Sequence, residues 1–445
     1  MPLNEILWVS FGELLNPLVR FFIGLWWVPV LIAIAWLTHD LFLYWRQCLF
    51  RKAITWTLLE ILIPREIRQS PKAMEQLLEQ LVSLRNSPSD WHEKYIKGEV
   101  TRWFSLEATS FGGEIHFYIR TPTGYRNIVE SFLYSNYKDI EVVEVSDYVD
   151  RIPARTVDLY RAGLDMFGME LKLSKPEAYP IRTYIQFESI EEEKALDPMS
   201  TLIEALTRVK KEEHLWVQIV IRPASSDWQK LGQSVVKELK ERGVSKAKVV
   251  GSAEDLVTIS RSPGETLVLE SIEKNLLKSG FDTVIRSVYF APRSSFNLQL
   301  PQRGLRSAFN QYAGLNRFSY NLRVWTLVKW VMYPHIFIRR RAEARKQNML
   351  YSFRTRALPE KIWLGRFINS NMFFWNSVSK SVTFVLNTEA LATIFHPPSF
   401  LVLTAPFIKR VEAKRLGPPA GLPIFGEGEE LPGLAIPGKT PSEKQ

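Results

Sequence analysis

The residues able to do chemistry in this chain are few and scattered. Six histidines, His39, His92, His116, His214, His335 and His396, stand apart, and none pairs with another at metal-ligand spacing. Cys48 is the only cysteine, which rules out a Cys-rich zinc site and an intramolecular disulfide. His92-Glu93 lacks the second histidine of a zinc-protease helix, and no Gly-x-Ser-x-Gly turn offers a nucleophile. Gly433 to Thr440 reads Gly-Leu-Ala-Ile-Pro-Gly-Lys-Thr, the letters of a phosphate-binding loop. Such a loop works by presenting backbone N–H groups between a strand and a helix N-terminus. Here no apolar strand precedes it, Pro437 and Pro441 crowd it, and the short remainder leaves no room for a helix. No catalytic residue, cofactor or metal is therefore expected, and the chain reads as a non-enzyme.

What remains is arginine. Arg120 and Arg222 end two expected strands, in Ile119-Arg120-Thr121-Pro122 and Ile221-Arg222-Pro223, and Arg65 follows an earlier one. Arg339, Arg340 and Arg341 close an aromatic run, Val324–Ile338, that is too short to span a bilayer. That run either packs on the folded body, the commoner use, or lies in the interface with its arginines on lipid phosphate. Solvated or ion-paired arginine is the ordinary reading at a strand end. The functional alternative is a basic rim for a partner or nucleic acid. The aromatic signature of an RNA-recognition sheet is absent. A net charge of +10 and a pI near 9.4 favour an anionic partner, either nucleic acid or the anionic inner leaflet. With 46% hydrophobic and 23% charged residues, the composition is that of a globular protein.

The element that must position all of this is an anchor. Phe21–Thr38 carries no charge, and apolar residues continue past His39 and Asp40, so a helix is expected from about 20 to 45. That is enough to cross a hydrocarbon core of about 30 Å. Trp26, Trp27, Trp36, Tyr44 and Trp45 supply interfacial aromatics, and membrane helices tolerate a proline such as Pro29. A buried core helix is the soluble alternative. A cleaved signal lacks its basic n-region and small-residue site. Arg46, Arg51 and Lys52 after the span outweigh Arg20 before it, which puts the N-terminus outside and the bulk in the cytoplasm. Residues 2–18 suit a short helix along the outer face, and Cys48 beside the bilayer reads as a bystander, with acylation the alternative.

Beyond the anchor the periods are readable. Leu59, Ile61 and Ile63 mark a strand ended by Pro64, and Ser70-Pro71 opens a helix with Met74, Leu77, Leu78 and Leu81 on one stripe. Around Phe111-Gly112-Gly113, Phe104, Leu106 and Ala108 alternate with Trp103, Ser105 and Glu107, and Ile115, Phe117 and Ile119 with Glu114, His116, Tyr118 and Arg120. The pattern predicts a half-buried hairpin. Thr121-Pro122 predicts another capped helix through Tyr125, Ile128, Val129 and Phe132, and Ile140–Val145 a last strand. The order β-α-β-β-α-β predicts a ferredoxin-like module. A second, elaborated α+β module is expected around a strand at Leu215–Ile221. It adds a strand near 181–187, helices near 198–209 and 264–277, and a strand near 283–290. Arg120 and Arg222 would then end equivalent strands. Arg306–Tyr312 looks helical, and Ser381–Leu386 predicts a strand running into a helix capped by Asn387. The fold class is α+β, divided as 1–52 (interfacial segment and transmembrane helix), 53–150, 151–315, 316–416, and a Pro/Gly-rich tail, 417–445, expected to be disordered.

Several stretches also carry a resemblance. They are Leu59–Ile67 (Leu-Glu-Ile-Leu-Ile-Pro-Arg-Glu-Ile), Ser70–Glu75, His116–Pro122, Tyr179–Tyr184 and Leu386–Ala392. Together they resemble the membrane-anchored, non-catalytic region associated with conjugation-type (type IV secretion-like) ATPases of small-genome bacteria, over most of 21–423. In relatives a Pro-Pro-Ala-x-Leu-Pro-Ile linker leads into a RecA-like ATPase. Pro418–Ile424 matches that linker, but the chain stops about twenty residues later, so the ATPase is expected on another polypeptide. The resemblance implies a single-pass protein of the cytoplasmic membrane that docks or organises such an ATPase. Membrane lipid, the ATPase, DNA and a second copy of the chain are the partners to consider. A membrane-tethered DNA-binding protein is the alternative, on the net charge and the 339–346 basic cluster. An enzyme of lipid or peptidoglycan precursors has no residue constellation behind it.

Overall fold

From Trp27 on, the long apolar run forms one helix. The computed structural model describes residues 24–25, 27–64, 69–187, 196–242, 244–247, 256–259, 262–328, 337–359, 381–398 and 410–411. Helix α1, Trp27–Ala53, passes through Pro29 without a break. Leu43 is its one buried residue, and it is long and apolar enough to cross a membrane. The expected interfacial segment 2–18, the 417–445 tail and the phosphate-loop lookalike at 433–440 lie outside the described residues.

Two residues after α1 the chain enters a mixed α+β body built on a ten-stranded sheet. Its first half contains β1 (Trp56–Pro64), α2 (Lys72–Ser83), β2 (Phe104–Phe111), β3 (Glu114–Pro122), α3 (Arg126–Asn136) and β4 (Glu141–Val145). The strands lie in the order β4-β1-β3-β2, every pair antiparallel. Gly112 and Gly113 make the β2–β3 turn with φ of 60° and 95°. A Cβ at Gly112 would stand 2.7 Å from the Lys211 carbonyl oxygen, so glycine is needed on both counts.

The second half follows with β5 (Leu164–Leu173), α5 (Ser200–Thr207), β6 (His214–Pro223), β9 (Gly280–Pro292), α8 (Leu305–Asn310) and β10 (Phe318–Tyr320). Helix α4 (Thr156–Arg161) precedes β5, and α6 (Asp227–Arg242), the ribbon β7 (Val244–Ala247)–β8 (Leu256–Ile259) and α7 (Pro263–Leu276) intervene between β6 and β9. Its strands run β10-β5-β9-β6, again antiparallel. If strands are numbered within each half, both halves read 4-1-3-2. They join edge to edge through β2 and β6, from Phe104↔Ile221 to Phe111↔His214. What is a two-glycine turn in the first half is a helix–ribbon–helix excursion in the second. Strand β6 therefore stands in the position of β2 and not of β3, so Arg120 and Arg222 do not end equivalent strands.

One sheet face is covered by helices. Met74, Leu77, Leu78 and Leu81 of α2, Val129 and Leu133 of α3, Leu202, Ile203 and Leu206 of α5 and Phe309 of α8 pack on Leu59, Ile61, Leu106, Ile119, Val217, Ile219 and Ile285. Each such side chain contributes about 1.5–3 kcal/mol through burial. Strand β11 (Phe384–Asn387) pairs with β9 and runs into α10 (Thr388–Ile394), whose N-cap Asn387 accepts from the Ala390 N–H, as its sequence predicts. Pro71 has helical dihedrals, and Ser70 Oγ accepts from the Lys72 N–H. Thr121-Pro122 does not cap a helix. Pro122 is extended, with ψ of 135°, because β3 still pairs with Trp56 there, and α3 begins only at Arg126. The strand expected at 181–187 is irregular chain and a 3-10 turn, Tyr184–Gln186. Val324, Trp325 and Val328 of the aromatic run pack inside, while 329–336 lie outside the described residues.

Candidate functional site

The second face of the sheet carries the chemistry, and it is not half-exposed. Every residue of β2 from Phe104 to Ser110 is buried. A single row of polar side chains crosses six strands there by direct pairing: Glu60↔Tyr118, Tyr118↔Glu107, Glu107↔Gln218, Gln218↔Arg286 and Arg286↔Glu170. All six residues are less than a tenth exposed. Each strand places one polar residue of this row at the same level, on the face opposite its main apolar set.

The cover of this row is a basic helix, α9 (Ile338–Thr355), with the turn 147–152. Its inward stripe is Arg341, Arg345, Met349, Phe353 and, one residue past its end, Arg356, at helical spacing. Gly168 on β5 lets it close in, since a Cβ there would lie 2.5 Å from Met349 Cγ. Arg356 ends the helix with φ of 50°, left-handed backbone that a non-glycine side chain adopts at a cost. Charged hydrogen bonds offset that cost. Its Nε and Nη2 donate to the Glu107 carboxylate at 2.9 and 3.0 Å, and Nη1 and Nη2 to Asp147 at 2.5 and 2.9 Å. Ser105, Tyr148 and Gln218 donate to the same Glu107 at 2.6, 2.6 and 3.1 Å. Burial raises the Glu107 pKa, but Arg356 and these hydrogen bonds more than offset it, and the net shift is downward. Burial lowers the Arg356 pKa and Glu107 raises it, leaving it well above its ordinary value. Arg286 repeats the device on Glu170 at 2.7 Å and reaches the Ser352 carbonyl at 3.3 Å. Arg354 ties the helix end to the Val149 and Ile152 carbonyls at 2.6 and 2.7 Å. This arrangement holds both charges ionised and locks α9 onto the sheet.

The arginines singled out in the sequence are not brought together. Arg65 lies outside the described residues. Arg120 lies over the Trp56 ring, 4.3 Å from its centroid, and burial with the nearby Arg356 charge lowers its pKa to about 10. Arg222 donates twice to Asp282 Oδ2, at 3.1 and 2.7 Å, an ion-paired strand end. Arg339 and Arg340 are exposed, whereas Arg341 faces inward and is 1% exposed. Arg345 donates to the Leu322 and Trp325 carbonyls and Lys346 to Asp165. The 339–346 cluster is thus not one solvated face: part of it is spent inside.

The residues that the sequence reading passed over are Arg286, Glu170, Asp147, Gln218 and Arg356. One signal was available in two strands: a single polar residue among apolar neighbours, as in Leu-Leu-Glu-Ile-Leu and Trp-Val-Gln-Ile-Val. On the opposite face, an open cavity of about 720 Å³ lies beside α2 and Lys278. Lys278 bridges Glu75 and Glu389, and the Tyr184 hydroxyl donates to Glu75 at 2.6 Å. No group of three or more His, Cys, Asp or Glu suited to a metal occurs among the described residues.

No curated protein matches the chain. A family model does, over residues 49–321, more than half of the sequence. It starts in the last turn of α1 and ends just after β10, so it spans both halves of the sheet and leaves out the apolar run of α1 and the α9 cover. The chain belongs to this family, a domain of unknown function designated DUF8128.

Proposed function

We propose that the chain is a single-pass protein of the cytoplasmic membrane that docks or organises a secretion-type ATPase through two ferredoxin-like (split βαβ) units. The observation that carries this reading is the junction between α1 and the sheet. An exposed apolar helix of 27 residues ends at Ala53, and β1 begins at Trp56. The body is therefore mounted directly beneath the anchor, with no flexible spacer. The 4-1-3-2 order in both halves, with two helices on one face of each, supports the split βαβ reading. Arg46, Arg51 and Lys52 at the sheet end of the helix support an outside N-terminus and a cytoplasmic sheet. The ATPase partner rests on the sequence resemblance described above. The test is co-purification of the full chain from mild detergent extracts, read by mass spectrometry. Recovery of a secretion-type ATPase is expected, and its consistent absence, with the anchor protein intact, sinks the reading. Reporters fused to either end test orientation, with cytoplasmic activity expected only at the C-terminal fusion.

The DNA-tethering alternative draws less support, because Arg341 and Arg345 of the basic cluster face inward and Lys346 is paired to Asp165. Binding to DNA that weakens steeply between low and moderate salt would restore it.

A further inference from the structure

The segment between α2 and β2 runs alongside α1. Its π-helical turn, His92–Lys97, packs against α1 between two fixed points. His39 Nε2 lies 3.3 Å from the Tyr95 hydroxyl, and Gly98, with φ of 67°, sits against the Arg46 backbone. A Cβ at Gly98 would stand 2.5 Å from the Arg46 carbonyl carbon, so the approach is set by backbone. From Tyr95 to Gly98 the chain thus follows the helix from His39 to Arg46, about 10 Å at 1.5 Å per residue. His39 is the first residue after the uncharged run that ends at Thr38. Trp91 packs on Tyr95 with ring centroids 5.6 Å apart, at the end of the segment nearest that run. It is 69% exposed and has no apolar cover from the body. Phe42 and Trp45 of α1 are exposed as well.

An exposed tryptophan beside a half-buried tyrosine, flanked by lysine and level with the end of an apolar span, is the composition that partitions into a lipid headgroup layer. The ring enters the acyl boundary while lysine tips stay in water. Lys94 lies over the Tyr95 ring, and Lys97 is half exposed. Glu93, the one acidic residue within 91–97, is engaged by the Ser89 backbone N–H and hydroxyl, and Asp90 stands next to Trp91 in solvent reach. We propose that Trp91–Lys97 is a second membrane-contacting element, lying in the headgroup layer beside α1 and holding the sheet at fixed depth and rotation under the anchor. The proposal rests on α1 spanning the bilayer.

The test uses the full chain in phosphatidylcholine–phosphatidylglycerol vesicles, in a Cys48→Ser background, with an environment-sensitive fluorophore on single cysteines at Val30, Trp91 or Leu231. Leu231, exposed on α6, is the control off the anchor. Nitroxide lipids carrying the quencher on the acyl chain or on the headgroup report depth. Acyl-chain quenching is expected at position 30, and headgroup-level quenching at 91 at least three-fold stronger than at 231. Quenching at 30 with position 91 no different from 231 overturns the proposal and leaves the anchor standing. No quenching at 30 removes the anchor and the proposal with it. A second variant keeps the result independent of labelling at 91. With the fluorophore at Ile96→Cys, Trp91→Asp should halve the headgroup-level quenching, and no change counts against the proposal.

Discussion

On one face of the sheet Leu106 meets helices that require only shape and apolarity; on the other, its neighbour Glu107 meets Arg356, Tyr148, Ser105 and Gln218. Both are 0% exposed. The first face tolerates changes that keep volume, since burial is non-directional. The second fixes distance, angle and partner, because a buried charge without its partner is costly. The contrast assigns the faces different tasks: the apolar face supplies most of the folding free energy, and the polar face specifies how α9 sits. The family match keeps the eight strands of the two halves but neither β11 nor α9, so Glu107 and Arg286 of the charged row lie inside the matched segment and Arg356 outside it.

The comparison breaks most sharply at Glu107. Glu107→Ala should cost about 3–5 kcal/mol, since it leaves Arg356 buried with only the partly exposed Asp147. Chemical unfolding of the detergent-solubilised chain measures it. Leu106→Ala, one residue away on the other face, should cost about 2–5 kcal/mol from lost burial and cavity. The two are separated by rescue: the double variant Glu107→Met with Arg356→Met should recover part of the Glu107→Ala loss, because it removes the unpartnered Arg356 charge, while Ser105, Tyr148 and Gln218 still lose their acceptor. No partner substitution rescues Leu106→Ala in this way. If the double variant is as unstable as Glu107→Ala, the pair is not what the cost measures.

Gly168→Ala should cost about 1–3 kcal/mol by forcing Met349 out of place, and limited proteolysis should cut α9 before the sheet. Acid sharpens the same contrast. Because the folded Glu107 pKa lies below its ordinary value near 4.5, its contribution is complete above that pH and fades as pH falls through the folded value. The parent should thus lose its advantage over the Met/Met variant below about pH 4.5. The smallest effect belongs to the exposed arginines. Arg339→Ser with Arg340→Ser should change stability by no more than about 0.5 kcal/mol, leaving any effect on partner recovery readable.

Much of the fold was legible locally. The uncharged run gave α1, alternation gave β1, β2, β3 and β6, the leucine stripe gave α2, and Asn387-Thr388-Glu389 gave the cap of α10, since each signal lies within a few residues of chain. The boundaries that failed did so where a distant strand overruled a local cue, as at Thr121-Pro122. Strand β5, the ribbon β7–β8 and β10 were missed, and so was the row of polar residues that the strands line up across the sheet.

The sequence by itself determined which residues share a sheet face, because side chains alternate with a period of two whatever the tertiary context. It did not determine what covers that face, and so left the Glu107 side facing water. Only the tertiary structure brought Arg356 to Glu107 across 249 residues and β6 to β2 across 111. Contacts at such separations are selected by packing and charge compensation over the whole sheet and leave no periodic trace in the chain.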